Sequence, residues 1–212
     1  MESAMLRVTA RVHRFAYPKG SVCRIWADLA AESFAAGDDL CVLLGDDVVL
    51  ETPRWADAVL GSFRDIARKT GLPFGFGCVA FYDSAFPGFP TFPVLHRLHA
   101  RVFAGRIFPT AFQNQDVDPF LFQVYRAFDA ARIDPRVRLH NSVGGADDAR
   151  YEKVPLPQWT GHMLAAARDH AESWLHLECP LTTLQQQQQP RRQLLTIDVV
   201  VPTYRVPMDR LR

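Results

Sequence analysis

Leu40-Cys41-Val42-Leu43-Leu44-Gly45-Asp46-Asp47-Val48-Val49-Leu50 is the stretch on which the fold turns. An unbroken apolar run from Leu40 to Leu44, set off by acids on both sides, has the length and composition of a strand buried on both faces. Such strands belong to α/β sheets covered by helices. Thr52-Pro53-Arg54-Trp55 follows as a helix start. The adjacent carboxylates of Asp46 and Asp47 therefore fall at the C-terminal end of a strand, the edge where open α/β sheets bind ligands. Carboxylate oxygens there suit a hard divalent cation such as Mg²⁺ or Mn²⁺, and a cation so held can clamp a diphosphate. Asp38-Asp39 and Asp147-Asp148 are also adjacent acids, but only Asp46-Asp47 ends a buried strand.

Strand and helix signals alternate on either side of this run. Leu6, Val8, Ala10 and Val12 alternate with Arg7, Thr9, Arg11 and His13, the period of a half-buried strand. Ser21 is placed to cap a helix with Val22, Ile25, Trp26 and Leu29 on one face, ending near Gly37. Trp55, Val59, Phe63 and Ile66 form the inner stripe of a second helix, stopped at Gly71. Residues 74–81 read as a strand interrupted by Gly75 and Gly77. Prolines alternate with phenylalanines from Phe86 to Pro93, which predicts a stiff, apolar loop.

A third helix is expected from Val94 to Ala104. A fourth follows Asn114-Gln115-Asp116-Val117-Asp118-Pro119, with Phe120, Leu121, Val124, Tyr125 and Phe128 inside. Asp118 at the N-cap with Pro119 at the first helical position accounts for both residues structurally. Val137–Ser142 reads as a short strand, Gly144-Gly145-Ala146-Asp147-Asp148 as a loop, and Met163–Leu175 as an amphipathic helix. Gln185–Gln189 marks a low-complexity linker. Beyond it, Leu194-Leu195-Thr196-Ile197-Asp198-Val199-Val200-Val201-Pro202-Thr203-Tyr204 is a second strong buried strand.

Composition bounds the function. The chain has 212 residues, 48% of them hydrophobic, enough to bury a core. A net charge of +1 gives no electrostatic footprint for nucleic acid. No apolar run approaches the length of a membrane span, and Met1–Arg7 has no signal-peptide pattern, so the expected location is cytoplasmic by default. Cys23, Cys41, Cys78 and Cys179 are scattered without a Cys-x-x-Cys, which points to buried thiols rather than disulfides or zinc.

These motifs resemble the GT-A glycosyltransferases of the family 2 type. Leu44-Gly45-Asp46-Asp47-Val48-Val49-Leu50 with Trp55 is similar to their metal-binding segment, an Asp-X-Asp strand end followed by an apolar run and a helix start. Asn114-Gln115-Asp116-Val117-Asp118 resembles the second signature, a Glu-Asp pair at the mouth of the helix that brings the catalytic base. Ile197–Tyr204 resembles the first strand of a fresh domain of this family. The pattern departs from the family at Gly45, where the first acid of Asp-X-Asp falls, and at Gln115, which replaces the Glu.

The resemblance implies a GT-A-like, Rossmann-like mixed sheet flanked by helices, incomplete at its N-terminal nucleotide-binding half. Residues 1–180 would be this partial domain, 181–193 a Gln-rich linker and 194–212 the truncated start of a second domain. The orphan strand is expected to fold back in parallel onto the sheet edge left open by the missing half. Function follows the same resemblance: a hexosyltransferase-type enzyme passing a sugar, with inversion, from a nucleotide-sugar such as a UDP-sugar to a glycan, lipid or protein hydroxyl. Asp47, with Asp46, would bind Mn²⁺ or Mg²⁺ at the donor diphosphate. His140 would add a metal contact, and Asp116 would be the general base. Tyr82 and the Phe86–Phe92 loop offer flat faces for a sugar.

Each residue also has a plainer role. Asp46-Asp47 fits a solvated turn, Asp116 a carboxylate favoured by a helix N-terminus, and the loop phenylalanines hydrophobic plugs. His96 and His99 are three apart on the expected third helix, the spacing of a metal pair but equally of two ordinary histidines. Two other classes of function compete: a non-catalytic scaffold that keeps the fold for binding, and a metal-dependent phosphoryl-transfer enzyme. The latter lacks a phosphate-binding Lys or Gly-rich loop.

Overall fold

In the computed structural model, which describes residues 16–142, 152–179 and 196–200, the apolar run forms strand β1 (Leu40–Leu43). All four of its side chains are fully buried, as a strand covered on both faces must be. Helix α1 (Val22–Ala36) precedes it. Gly37 ends that helix in a left-handed conformation at φ 99°, and its N–H donates to Phe34 O. Ser21 holds the N-cap position without a side-chain capping bond. The buried stripe of α1 is Cys23, Trp26, Ala30 and Ser33, rotated from the expected one. The indole of Trp26 donates to Leu44 O at 3.1 Å, a fixed polar contact that sets the rotation.

Strand β2 (Val48–Leu50) follows the acid turn, and helix α2 (Trp55–Thr70) buries Val59, Phe63 and Ile66 as its stripe predicts. Gly71, at φ 72°, stops α2. Strand β3 (Cys78–Asp83) begins after Gly75 and Gly77 rather than spanning them. Helix α4 (Val117–Arg126) leads into β5 (Ala131–Asn141), which is longer than expected. Its length hides an irregularity: Phe81 pairs with Asp134 but Tyr82 with Arg138, so residues 135–137 are extruded at Pro135. Asp134, fully buried there, takes Ser62 Oγ at 2.6 Å and the Arg136 guanidinium at 2.7 Å, stapling the bulge to α2. A 3-10 turn (Pro157–Thr160) and helix α5 (His162–Glu178) complete the described helical part.

The region from Val94 corrects the sequence reading. Instead of one helix over Val94–Ala104, the chain forms strand β4 (Val94–His96) and then a short helix α3 (Leu98–Val102). Tertiary packing overrides the helical pattern: β4 fills the slot between β1 and β3, antiparallel to both, and all three of its residues are buried.

Strand β6 (Ile197–Val200) lies parallel to β1, from Leu40 opposite Ile197 to Leu43 opposite Val200. This is the fold-back expected from the sequence. Asp39 sets its register: Thr196 N donates to Asp39 Oδ2 at 3.0 Å, and Asp39 N reaches Thr196 Oγ1 at 3.1 Å. Arg97 pairs with the same carboxylate at 3.2 Å. The sheet order is β2-β5-β3-β4-β1-β6. Its pairings leave β1, β3, β5 and β6 running one way and β2 and β4 the other.

Helices flank both faces of this mixed sheet. Trp55 of α2 meets Phe81 of β3 edge-on at 5.7 Å. Cys78, on the opposite alternation of β3, faces Tyr125 of α4. Among the described residues no helix is long and apolar enough to cross a membrane. The expected strand at 6–12, the loop at 144–148, the Gln185–Gln189 linker and Pro202–Tyr204 lie outside the described residues.

Candidate functional site

The C-terminal ends of β1, β3 and β5 gather the chemistry-bearing residues on one edge of the sheet. β1 runs into Gly45-Asp46-Asp47, β3 ends at Asp83 beside Ser84, and β5 ends with His140-Asn141. The N-terminus of α4 and the loop entering β4 belong to the same edge, because Phe92 N donates to Asp118 Oδ1 at 3.0 Å.

The Asp46-Asp47 turn joins β1 to β2, and both residues are part-exposed. Ser142 N donates to Asp47 O at 2.9 Å, which ties the turn to the end of β5. Gly45 matters here for what it lacks. A Cβ at that position would stand 2.6 Å from Asp47 Oδ1 and 3.4 Å from the Phe92 ring. The Asp47 carboxylate therefore turns back into the space a side chain at residue 45 would fill, with Phe92 as the neighbouring wall.

In the 114–118 segment the side chains are fastened to another part of the chain. Asn114 Nδ2 donates to Glu152 O and Asn114 Oδ1 accepts Val154 N, both at 2.9 Å. Asp116 Oδ2 accepts Leu156 N at 2.6 Å. Alternate residues of one segment thus meet alternate residues of the other, side chain to backbone, in the manner of a strand pair. Asp116 is the N-cap of α4, in a left-handed conformation at φ 69° that Asp tolerates, and makes no side-chain capping bond. This corrects the reading of Asp118 as the cap with Pro119 first in the helix. Asp118 sits inside the first turn, with its carboxylate on Phe92 N. Burial pushes its carboxyl up to about 7, the Phe92 and Asp118 backbone amides pull it down, and Asp116 adds to the rise.

The aromatic loop is anchored at both ends by carboxylates. Fully buried Asp83 accepts Ala85 N at 2.8 Å and Thr91 Oγ1 at 3.0 Å, while Asp118 holds Phe92. Phe92 is a non-glycine residue at φ 52° and is buried. Phe86 and Phe89 are 41% and 47% exposed, so they are open faces rather than plugs, whereas Phe92 is a plug. Tyr82 is engaged by Arg138, whose guanidinium lies 5.1 Å from its ring centre.

His140 stands opposite Val49 in the β2–β5 ladder, on the exposed face of β5, with Nδ1 2.9 Å from Ser84 Oγ. His96 and His99 do not share a helix face as expected: His96 belongs to β4, and both are buried in polar contacts. His96 Nδ1 accepts Leu98 N at 3.1 Å. His99 Nε2 faces Ile107 O at 2.6 Å, so that nitrogen carries the proton and Nδ1 accepts the Tyr125 hydroxyl at 2.7 Å. Burial lowers each ring to about 4, which keeps both neutral. Cys23, Cys41 and Cys78 are buried free thiols, raised by burial, as the sequence implies, whereas Cys179 is a free thiol that is only half-buried. An open hollow of about 510 Å³ between Lys69, Thr70, Leu72, Phe128 and Asp129 lies at the other end of the sheet, away from the acids.

Among the described residues no three His, Cys, Asp or Glu side chains gather as a metal-binding group. Asp46 and Asp47 place two part-exposed carboxylates on one turn, and exposed His140 ends β5 on the same sheet edge. Magnesium-type ions are commonly held by one or two carboxylates and take their other ligands from water and substrate phosphates. Two carboxylates are too few for a closed all-protein cage, so an ion held here would need further ligands from outside the protein. Comparison with family models, with curated proteins and with solved structures finds no match.

Sequence reasoning missed Asp83, Ser84, Asn114 and the part played by Phe92. Asp83 carried a readable signal, an acid closing a buried strand just before a Pro-rich loop. Asn114 and Phe92 carried none, because their roles depend on segments distant in sequence.

Proposed function

We propose that the chain is a GT-A-like sugar-transfer domain of the family 2 type. It would act on a nucleotide-sugar, a UDP-sugar in the simplest case, and on an acceptor hydroxyl of a glycan, lipid or protein. One observation carries the reading: the two acid-bearing segments, 45–47 and 114–118, converge on Phe92. Its ring and the Asp47 carboxylate both border the empty side-chain position of Gly45, and its N–H sits on Asp118. The parallel seating of β6 against the strand that leads to Asp46-Asp47 is a second support.

Asp47, helped by Asp46, would hold a divalent cation at the donor diphosphate. When bound, the ion neutralises charge that grows on the departing diphosphate. Asp116 acts on the acceptor. Leu156 N fixes its Oδ2, so the carboxylate is oriented and Oδ1 is the oxygen that meets the hydroxyl. As that hydroxyl attacks the anomeric carbon, its proton passes to Asp116, the bond to the phosphate oxygen breaks, and the sugar inverts. Exposed Phe86 and Phe89, held on a loop pinned by Asp83 and Asp118, offer faces for the sugar or acceptor.

A non-catalytic scaffold is the second reading. The Asp116–Leu156 bond, the absent side chain at Gly45 and the amide of Gln115 favour it. Calorimetric titration of UDP with and without Mn²⁺ separates the two. Heat that appears only with the ion supports transfer; no ion-dependent binding leaves the scaffold. In the first case Asp116→Asn should keep UDP binding and stop transfer, and turnover surviving in that variant removes Asp116 as the base.

A further inference from the structure

Asp118 is a polar residue without an evident task. Its expected capping role belongs to Asp116, yet its carboxyl is held where burial opposes charge. Its carboxylate accepts Phe92 N at 3.0 Å. Phe92 is itself unusual: a large residue at φ 52° carries backbone strain and persists only where its surroundings enforce it. Three contacts enforce it here. Asp118 takes its N–H, Leu43 N donates to the next carbonyl, Pro93 O, at 3.2 Å, and its ring is packed beside Gly45. That ring is one wall of the space into which the Asp47 carboxylate turns.

We propose that Asp118 is a positioning residue for the Asp46-Asp47 turn, acting through Phe92. Removing its acceptor frees the Phe92 backbone, and the ring that shares the Gly45 space with the Asp47 carboxylate moves with it. The coupling is also sensitive to protons. An ionised carboxylate accepts an N–H about twice as strongly as a neutral acceptor does, and burial brings the Asp118 carboxyl up to about 7. The titratable groups that face it are Asp116 on the same loop, Cys23 from α1 and Cys78 from β3, with both thiols raised by their own burial. Near neutrality the Asp47 turn therefore responds to the charge on Asp118. The consequence for diphosphate binding rests on the sugar-transfer reading; the consequence for the turn does not.

The test follows the amide resonances of Gly45, Asp47 and Phe92 from pH 5.5 to 8.5, together with Mn²⁺-dependent UDP affinity across the same range. In the wild-type chain the three amides should shift together with one midpoint near neutrality, and affinity should rise about threefold or more toward high pH. Asp118→Asn keeps an acceptor for Phe92 N. It should hold the resonances and the affinity at the wild-type low-pH values, with both flat in pH. Asp118→Ala should displace all three resonances and weaken binding. Gly45 and Asp47 resonances that ignore both substitutions, or a midpoint that survives in Asp118→Asn, would overturn the proposal. A wild-type chain that binds no Mn²⁺–UDP at any pH would end the sugar-transfer reading alone, because the resonances still decide the coupling.

Discussion

In the 114–118 segment Asn114, Asp116 and Asp118 each bond to a backbone group elsewhere, whereas the 45–47 turn is tied to β5 through its main chain, Ser142 N to Asp47 O. Both segments lie on the same sheet edge, and both supply carboxylates. Their architecture assigns them different duties. A carboxylate that closes a backbone hydrogen bond supports the fold, and removing it strands a donor. The 45–47 turn keeps its main-chain tie to β5 whatever its carboxylates do, because that tie runs through Asp47 O.

The largest expected effect is on pH dependence, where the fastened segment opposes the interior. His96 and His99 are lowered to about 4 by burial, so the unfolded chain binds protons that the folded chain refuses. Their contribution is complete above about pH 6.5 and falls away as pH drops toward 4, by roughly 3 kcal/mol for each. Asp118 runs the other way. Its raised carboxyl makes the folded chain hold a proton the unfolded chain has released, so its contribution is lost as pH climbs from about 4 toward 7. With two histidines against one carboxyl, urea unfolding should show stability rising from pH 4.5 to 6.5. A fall over that range would mean that the histidines are not neutral in the fold.

Next in size is Asp118→Asn, which removes the cost of a buried charge and keeps an acceptor for Phe92. It should stabilise the chain at pH 8 by about 2 kcal/mol and leave stability at pH 4 nearly unchanged. Destabilisation at pH 8 would show that the charge itself is needed. The contrast between the segments is sharpest in a paired substitution. Asp116→Ala strands Leu156 N and places Ala at φ 69°, for a loss of about 2 kcal/mol, while Asp47→Ala keeps the Ser142 N to Asp47 O bond and should lose less. Equal losses in denaturant titrations would erase the distinction. The smallest effect belongs to Gly45→Ala. Its Cβ would stand 2.6 Å from Asp47 Oδ1 and in ordinary contact with Phe92 and Val48 at 3.4 and 3.5 Å, so the carboxylate should rotate away, read as a changed Asp47 side-chain carbon shift with a small change in unfolding midpoint.

Much of the fold was legible because local and global preferences agree. The Leu40–Leu44 run could only be a two-sided strand, Gly37 and Gly71 stop helices by left-handed geometry, and the stripe of α2 is the one its spacing predicts. Val94–His96 was not legible. Its helical continuation lost to a slot between β1 and β3 that no local signal announces. The bulge at residues 135–137 likewise depends on Ser62 and Arg136 closing around Asp134. At the candidate site the acid turn could be read from its place at a strand end, whereas the fastening of Asp116 and Asp118 depends on Leu156 and Phe92. Those bonds join positions that sequence spacing does not connect, which is why Asp118 read as a simple cap.

The central claim is that Asp47 holds a divalent ion together with a diphosphate. Binding of Mn²⁺ in the presence of UDP, followed by the electron spin resonance signal of the free ion, tests it in wild-type and Asp47→Asn chains. The account predicts ion uptake that requires UDP in the wild type and falls at least tenfold in Asp47→Asn, with both chains equally stable. Uptake unchanged by the substitution, or absent from the wild type, would contradict it.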